Sequence, residues 1–124
     1  MIQMRPEQQA AFSAEAQHGF EARAATFLRE EFPEKWGAAP PGAPEAFVRD
    51  TQRRAAGYGL TSEQAVVCVA CVRTLLGDDW AGQGHEWVPK LLGDAEFEPD
   101  FRAKLAAQLA DGLAGHPATS AGRA

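Results

Sequence analysis

The chain has 124 residues, of which 45% are hydrophobic and 23% charged, and a formal net charge of −5 at pH 7. That length suffices for one domain with a real core, the acidic balance argues against nucleic acid as a partner, and no apolar run approaches the roughly 20 residues of a membrane span. The start, Met1-Ile2-Gln3-Met4-Arg5-Pro6-Glu7, has no apolar secretory segment, so the expected location is the cytoplasm, where two cysteines need not pair.

The first predicted helix runs from about Pro6, a first-turn proline, to Phe32. Its apolar residues are Phe12, Ala16, Phe20, Ala24, Phe27 and Leu28. Spacing by four drifts about 40° per step. The stripe therefore winds, and Phe12, Phe20 and Phe27 are expected to touch both the central and the last helix. Phe32-Pro33 ends the helix, because a residue before proline is pushed out of the α region. His18 lies off the stripe and reads as solvated. Gly37 to Pro44, GAAPPGAP, reads as a loop within one domain.

The second predicted helix spans about Glu45 to Ala56. Phe47, Val48, Thr51, Ala55 and the following Tyr58 form its inner face. Arg49, Arg53 and Arg54 point outward with Asp50, and Asp50 and Arg54 pair at i,i+4. Three arginines on one short helix suit an acidic partner, although a solvated face is the plainer explanation.

Thr61-Ser62-Glu63-Gln64 has the pattern of a capping box, and Gly77 fits a helix stop. Between them lies the most apolar stretch of the chain, Ala65 to Val72, AVVCVACV, which predicts a central helix over 62–76. At about 100° per residue, Cys68, Cys71 and Leu75 share one face. Arg73, the only charged side chain from Ala65 to Leu76, points nearly the other way. Both thiols are therefore expected at the deepest burial, as structural groups. A reactive thiol needs access and an electropositive setting, and a thioredoxin-like site needs a preceding strand. A zinc site needs four ligands, and His18, His85 and His116 are scattered. No cofactor, metal or catalytic residue is expected, and a thiol redox or metal protein using Cys68 and Cys71 is a runner-up.

Asp78 to Pro89, DDWAGQGHEWVP, is the second loop. It gathers Trp80, His85 and Trp87 with Asp78, Asp79 and Glu86. His85-Glu86 is not the zinc-protease motif, since position 89 is proline where a second histidine would stand. The tryptophans either cover the open end of the bundle or present a surface that adapts on binding. A short helix follows, about Trp87 to Leu92. The last begins near Pro99 and runs to about Ala114, with Phe101, Leu105, Leu109 and Leu113 as its stripe. Residues 115–124 form a polar tail, expected to be disordered by composition.

Several segments resemble a family of short, mostly helical bacterial proteins encoded beside effector and spike genes of the type VI secretion system. They are Met4-Arg5-Pro6-Glu7-Gln8, Leu28-Arg29-Glu30-Glu31-Phe32-Pro33, and Ala55-Ala56-Gly57-Tyr58-Gly59-Leu60-Thr61-Ser62-Glu63. Leu76-Gly77-Asp78-Asp79-Trp80 and Trp87-Val88-Pro89-Lys90-Leu91-Leu92 complete the set. The order and spacing of these segments carry the resemblance over most of the first hundred residues. The chain departs from it in the central helix, where Val-Val-Cys-Val-Ala-Cys-Val replaces the expected Leu, Phe and Met. The resemblance implies an accessory role: adaptor, chaperone or immunity partner of a secreted toxin. It carries no catalytic residues.

The expectation is an all-α, single-domain bundle of four to five helices over residues 1–114, built around the central apolar helix. The expected function is non-enzymatic binding of a toxin, effector or spike protein. The expected partner surfaces are Trp80, His85 and Trp87 in the loop, and Arg49, Arg53 and Arg54 on the second helix. A homodimer subunit is a third reading.

Overall fold

The computed structural model describes the backbone of residues 6–82 and 84–114, and side chains from residue 16 onward within those ranges except residue 78. The expectations for Phe12, Asp78, His116 and the tail 115–124 lie outside the described residues. The fold is an all-α, single-domain bundle. Its helices are α1 (Pro6–Glu31), α2 (Ala43–Ala56), α3 (Glu63–Leu76), α4 (Trp87–Leu92) and α5 (Pro99–Ala114). A π-type turn, Pro33–Gly37, follows α1, and a 3-10 turn, Gly77–Asp79, follows α3. No strand occurs among the described residues, and none of the described helices is long and apolar enough to cross a membrane.

The ends of the helices follow local chemistry. α1 stops at Glu31, ahead of Pro33. α2 starts at Ala43, slightly earlier than expected, with Pro44 in its first turn where a missing N–H costs nothing. The loop before it is held by Arg29, whose guanidinium donates to the carbonyls of Trp36 at 3.0 Å, Ala39 at 3.0 Å and Pro40 at 3.2 Å. The cap of α3 is Ser62 rather than Thr61: its Oγ accepts from the Ala65 N–H at 3.0 Å. Gly77 ends α3 at φ 82°, a left-handed value that a side chain would resist.

α3 is central, as its composition implies, with Ala65, Val66, Val69, Ala70 and Val72 all buried. Its most extensive packing is against α5. The face that α5 turns inward is not the expected stripe. Ala103, Ala106 and Ala110 are fully buried, whereas Phe101, Leu109 and Leu113 are exposed and Leu105 is half-exposed. Small side chains let two helices approach closely, and the valines and alanines of α3 already fill the space between them. The large residues of α5 are left outside.

α1 packs chiefly on α2 and only lightly on α3. Phe20, Ala24, Leu28 and Phe32 are buried, a row at spacing four. The expected stripe is corrected at Phe27, which is 38% exposed. Glu21 pins α1 to α2: buried on α1, it accepts from Arg49 Nη1 and from Gln17 Nε2, each at 2.7 Å. At the other end of the bundle Arg102 is also buried, and its Nη1 donates to the Leu92 carbonyl at 2.6 Å. That bond satisfies the C-terminus of α4, whose last carbonyls have no helical partner.

Candidate functional site

α2 and α3 bring together a cluster of cations and aromatic rings. Arg73 leaves α3 opposite the cysteines, as the helical wheel requires, but does not reach open solvent. Its side chain is 14% exposed. Nη1 donates to Thr51 Oγ1 at 2.8 Å and pairs with Asp50 Oδ2 at 3.1 Å. The guanidinium lies 4.4 Å from the Phe47 ring centre and 5.6 Å from that of Trp80. Asp50 also pairs with Arg54 Nε at 2.8 Å and Arg53 Nη2 at 3.0 Å. One carboxylate thus serves three guanidinium groups. The hydrogen bond from Arg54 holds the Asp50 carboxyl below its ordinary pKa, helped by the charges of Arg54 and Arg73 and a bond from Arg53, against a smaller cost of burial.

Beside this cluster is a cavity of about 200 Å³ lined by Lys35, Phe47, Arg54, Arg73, Gly77 and Trp80. Arg54 and Trp80 also line an adjoining open cavity of about 480 Å³, with Gly57, Tyr58, Ala81 and Gly82. Together the two make a cleft with cationic and aromatic walls. Four cations, Lys35, Arg53, Arg54 and Arg73, surround it or support its wall, three of them on the carboxylate of Asp50. Such a cationic wall suits an anionic group.

The structure gathers some of the expected partner residues and separates others. Arg54 and Trp80, assigned from sequence to different surfaces, line the same cleft. Arg53 stands behind it on Asp50. Arg49 turns to α1 and its ion pair with buried Glu21. Trp80 is 7% exposed, a covering ring for the end of the bundle rather than a free loop side chain. Trp87 is half-buried against the core. His85 Nδ1 lies 2.8 Å from the Asp79 carbonyl, and Glu86 accepts from the Gly84 N–H at 3.2 Å, so the loop is internally bonded. Sequence reasoning missed Lys35 and Arg73. The signal for Arg73 was present in its isolation on an apolar helix, since a charge there needs a partner.

The cysteines face a different surface. Cys68 and Cys71 are half-buried, not at the deepest burial, because the valine face of α3 takes that place. They line an open groove whose first stretch lies between α1 and α3 and whose second lies between α1, α3 and α5. One stretch, about 350 Å³, includes Phe20, Ala24, Phe27, Val67 and Cys68. The next, about 190 Å³, includes Phe27, Phe32, Cys71, Leu75 and Ala107. Burial pushes the Cys71 thiol up to about 12, with smaller contributions from Cys68, Glu31 and Asp111. Burial also raises Cys68, with Asp100 adding to the rise and Lys104 opposing it. Both are poor nucleophiles at neutral pH. Among the described residues no group of three or more His, Cys, Asp or Glu is placed to hold a metal ion.

The thiols should therefore react slowly although partly accessible. With a maleimide at pH 8, Cys71 in the native protein is expected to label roughly ten- to a hundredfold more slowly than in denaturant, the loss of thiolate outweighing the gain in nucleophilicity. Native labelling as fast as in denaturant would overturn the structural assignment.

Compared with known protein families, with curated proteins and with solved structures, the chain has no match.

Proposed function

We propose that this chain is a non-enzymatic protein-binding accessory that holds an acidic segment of its partner in the cleft between Arg54 and Trp80. The observation that carries this reading is the convergence of Lys35, Arg54 and Arg73 with Phe47 and Trp80 around one cavity. Arginine and tryptophan are the residues that contribute most at protein interfaces. A carboxylate gains most where several donors converge in a partly desolvated site. The segment resemblance supports the narrower version: an adaptor or chaperone of a type VI effector in a bacterial cytoplasm, with an immunity partner of a toxin as the alternative. A thiol enzyme is disfavoured by the raised pKa values of Cys68 and Cys71.

The test is capture of the product of the adjacent gene by the purified chain. Replacing Lys35 and Arg54 together with Ala should weaken binding at least about tenfold and reduce its salt dependence, because two attracting charges are lost. Both side chains reach solvent, so the thermal midpoint should hold. A folded double variant that binds like its parent sinks the cleft as the partner site.

A further inference from the structure

Resting on the cleft as the partner site, we infer that Arg54 determines its specificity: held by Asp50, it presents a planar fork to a carboxylate carried beside an apolar side chain. The four cations at the cleft are not equivalent. Arg73 is committed to the protein. Its Nη1 donates to Thr51 Oγ1 at 2.8 Å and pairs with Asp50 Oδ2 at 3.1 Å, and the group lies 4.4 Å from the Phe47 ring centre. Arg53 pairs with Asp50 Oδ1 through Nη2 at 3.0 Å and lines neither cavity. Lys35 carries a compact ammonium, 5.6 Å from the ring centre of Trp36. Arg54 lines both cavities. It bonds Asp50 through Nε alone, at 2.8 Å, and among the described residues its Nη1 and Nη2 make no hydrogen bond.

Bonding through Nε leaves the end of the fork, the Nη1 and Nη2 pair, to a ligand. An i,i+4 pair on one helix fixes where the Arg54 side chain lies, and Asp50 is itself fixed by Arg53 and Arg73. The fork is therefore pre-organised, and less entropy is lost when it takes two hydrogen bonds. Lysine at the same position would supply the charge, but neither the plane nor the paired donors.

The surroundings choose the anion. Two N–H donors side by side match the two oxygens of a carboxylate. A phosphate also fits a fork, but its second charge would meet Asp50, which already offsets part of the charge of Arg54. The other walls are rings and small residues, Phe47, Tyr58, Trp80, Ala81 and Gly82. They give an apolar side chain beside the carboxylate both area and room. A side-chain carboxylate and a chain-terminal one share this chemistry.

NMR titration of the full chain tests this with four probes: acetyl-Leu-Glu-Phe-amide, acetyl-Leu-Phe with a free C-terminus, acetyl-Leu-Gln-Phe-amide and inorganic phosphate. At least one of the two carboxylate peptides should shift the Arg54 Nε–H and Trp80 indole N–H resonances, and the one that does so identifies the source. The glutamine peptide and phosphate should bind at least about tenfold more weakly. Arg54→Lys, which keeps the charge, should raise the peptide Kd at least about tenfold, while Lys35→Arg should stay within about twofold. Asp50→Asn gives the sign of the Asp50 effect. It makes the wall more positive, so a site that reads charge alone would bind the peptide more tightly, whereas loss of the hold on Arg54 should weaken binding. Asp50→Glu should recover part of the loss. Each variant is compared at unchanged helicity by circular dichroism, and Arg54→Lys, at an exposed position, decides the matter should Asp50→Asn fail to fold. The inference is overturned by a parent that neither carboxylate peptide shifts, by Arg54→Lys or Asp50→Asn binding as well as the parent, or by phosphate or the glutamine peptide binding as well as the carboxylates. None of these results removes the cleft as the partner site, which falls only if Lys35→Ala/Arg54→Ala captures the partner as the parent does.

Discussion

Phe20→Ala should lower the stability of the domain by about 3–5 kcal/mol, the usual cost of emptying a buried aromatic site. In a domain of this size that corresponds to a fall in thermal midpoint of roughly 10–20 °C. Phe20 is 4% exposed and belongs to the main core. Its row on α1 continues through Ala24, Leu28 and Phe32, all buried. α1 has few other holds on α3, with which its packing is light, so its neighbours cannot readily close over the gap. Phe27, nearly two turns further along, is the internal comparison. It is 38% exposed on the lip of the groove, and Phe27→Ala should cost under about 1 kcal/mol. Urea unfolding of the two variants side by side measures the difference. Equal midpoints would mean that both rings serve the groove and that α1 is held to the bundle by its polar contacts to α2.

The legible part of this fold was the part governed by local rules. Prolines at the starts of α1, α2 and α5, the glycine at Gly77 and the hydroxyl before α3 mark helix ends through steric and hydrogen-bond constraints that operate within a few residues. These placed α4 and α5 at their observed bounds and the others within one or two residues. The faces were harder. Hydrophobic periodicity shows that a helix has an apolar side, but not whether that side meets the core or another molecule. On α5 the larger stripe, Phe101 to Leu113, was chosen from sequence, whereas the core takes the alanine row, Ala103, Ala106 and Ala110. Contact between α3 and α5 rewards close approach, for which small residues suffice.

The same ambiguity affected α3. Its wheel places Cys68 and Arg73 correctly on opposite sides, yet burial is not opposite to charge here. Asp50 and Thr51 on α2 receive Arg73 and make its side buried, and the cysteine side lines the groove. Only a tertiary partner distinguishes the two cases. The cleft was half-legible for the same reason. Arg54 and Trp80 were singled out individually, but 26 positions separate them in the chain and no local rule joins them. Lys35, on the turn Pro33–Gly37, joins the cleft only through the tertiary fold, whereas Arg73 carried a local signal in its isolation on an apolar helix.

Trp80→Ala should destabilise the protein by about 3–5 kcal/mol, which bears directly on how binding experiments at the cleft are read. The ring is 7% exposed and is part of the core cluster, and it also walls both cavities of the cleft. Removing it empties a core position and withdraws a ring that lies near the Arg73 guanidinium, the Phe47 contact being the closer. A cation near a desolvated ring gains about 1–2 kcal/mol. Loss of partner capture by Trp80→Ala would therefore reflect unfolding as readily as a missing contact. Trp80→Phe separates the two effects: it keeps a ring over Arg73 and should recover most of the stability, as conservative changes of core volume do. If Trp80 acts by shaping the cleft, Trp80→Phe binds nearly as the parent, while Lys35→Ala/Arg54→Ala loses binding at full stability. If Trp80→Ala instead melts with the parent in a thermal scan, the ring contributes nothing to the core. Trp80 would then serve as a loop anchor that meets the partner directly.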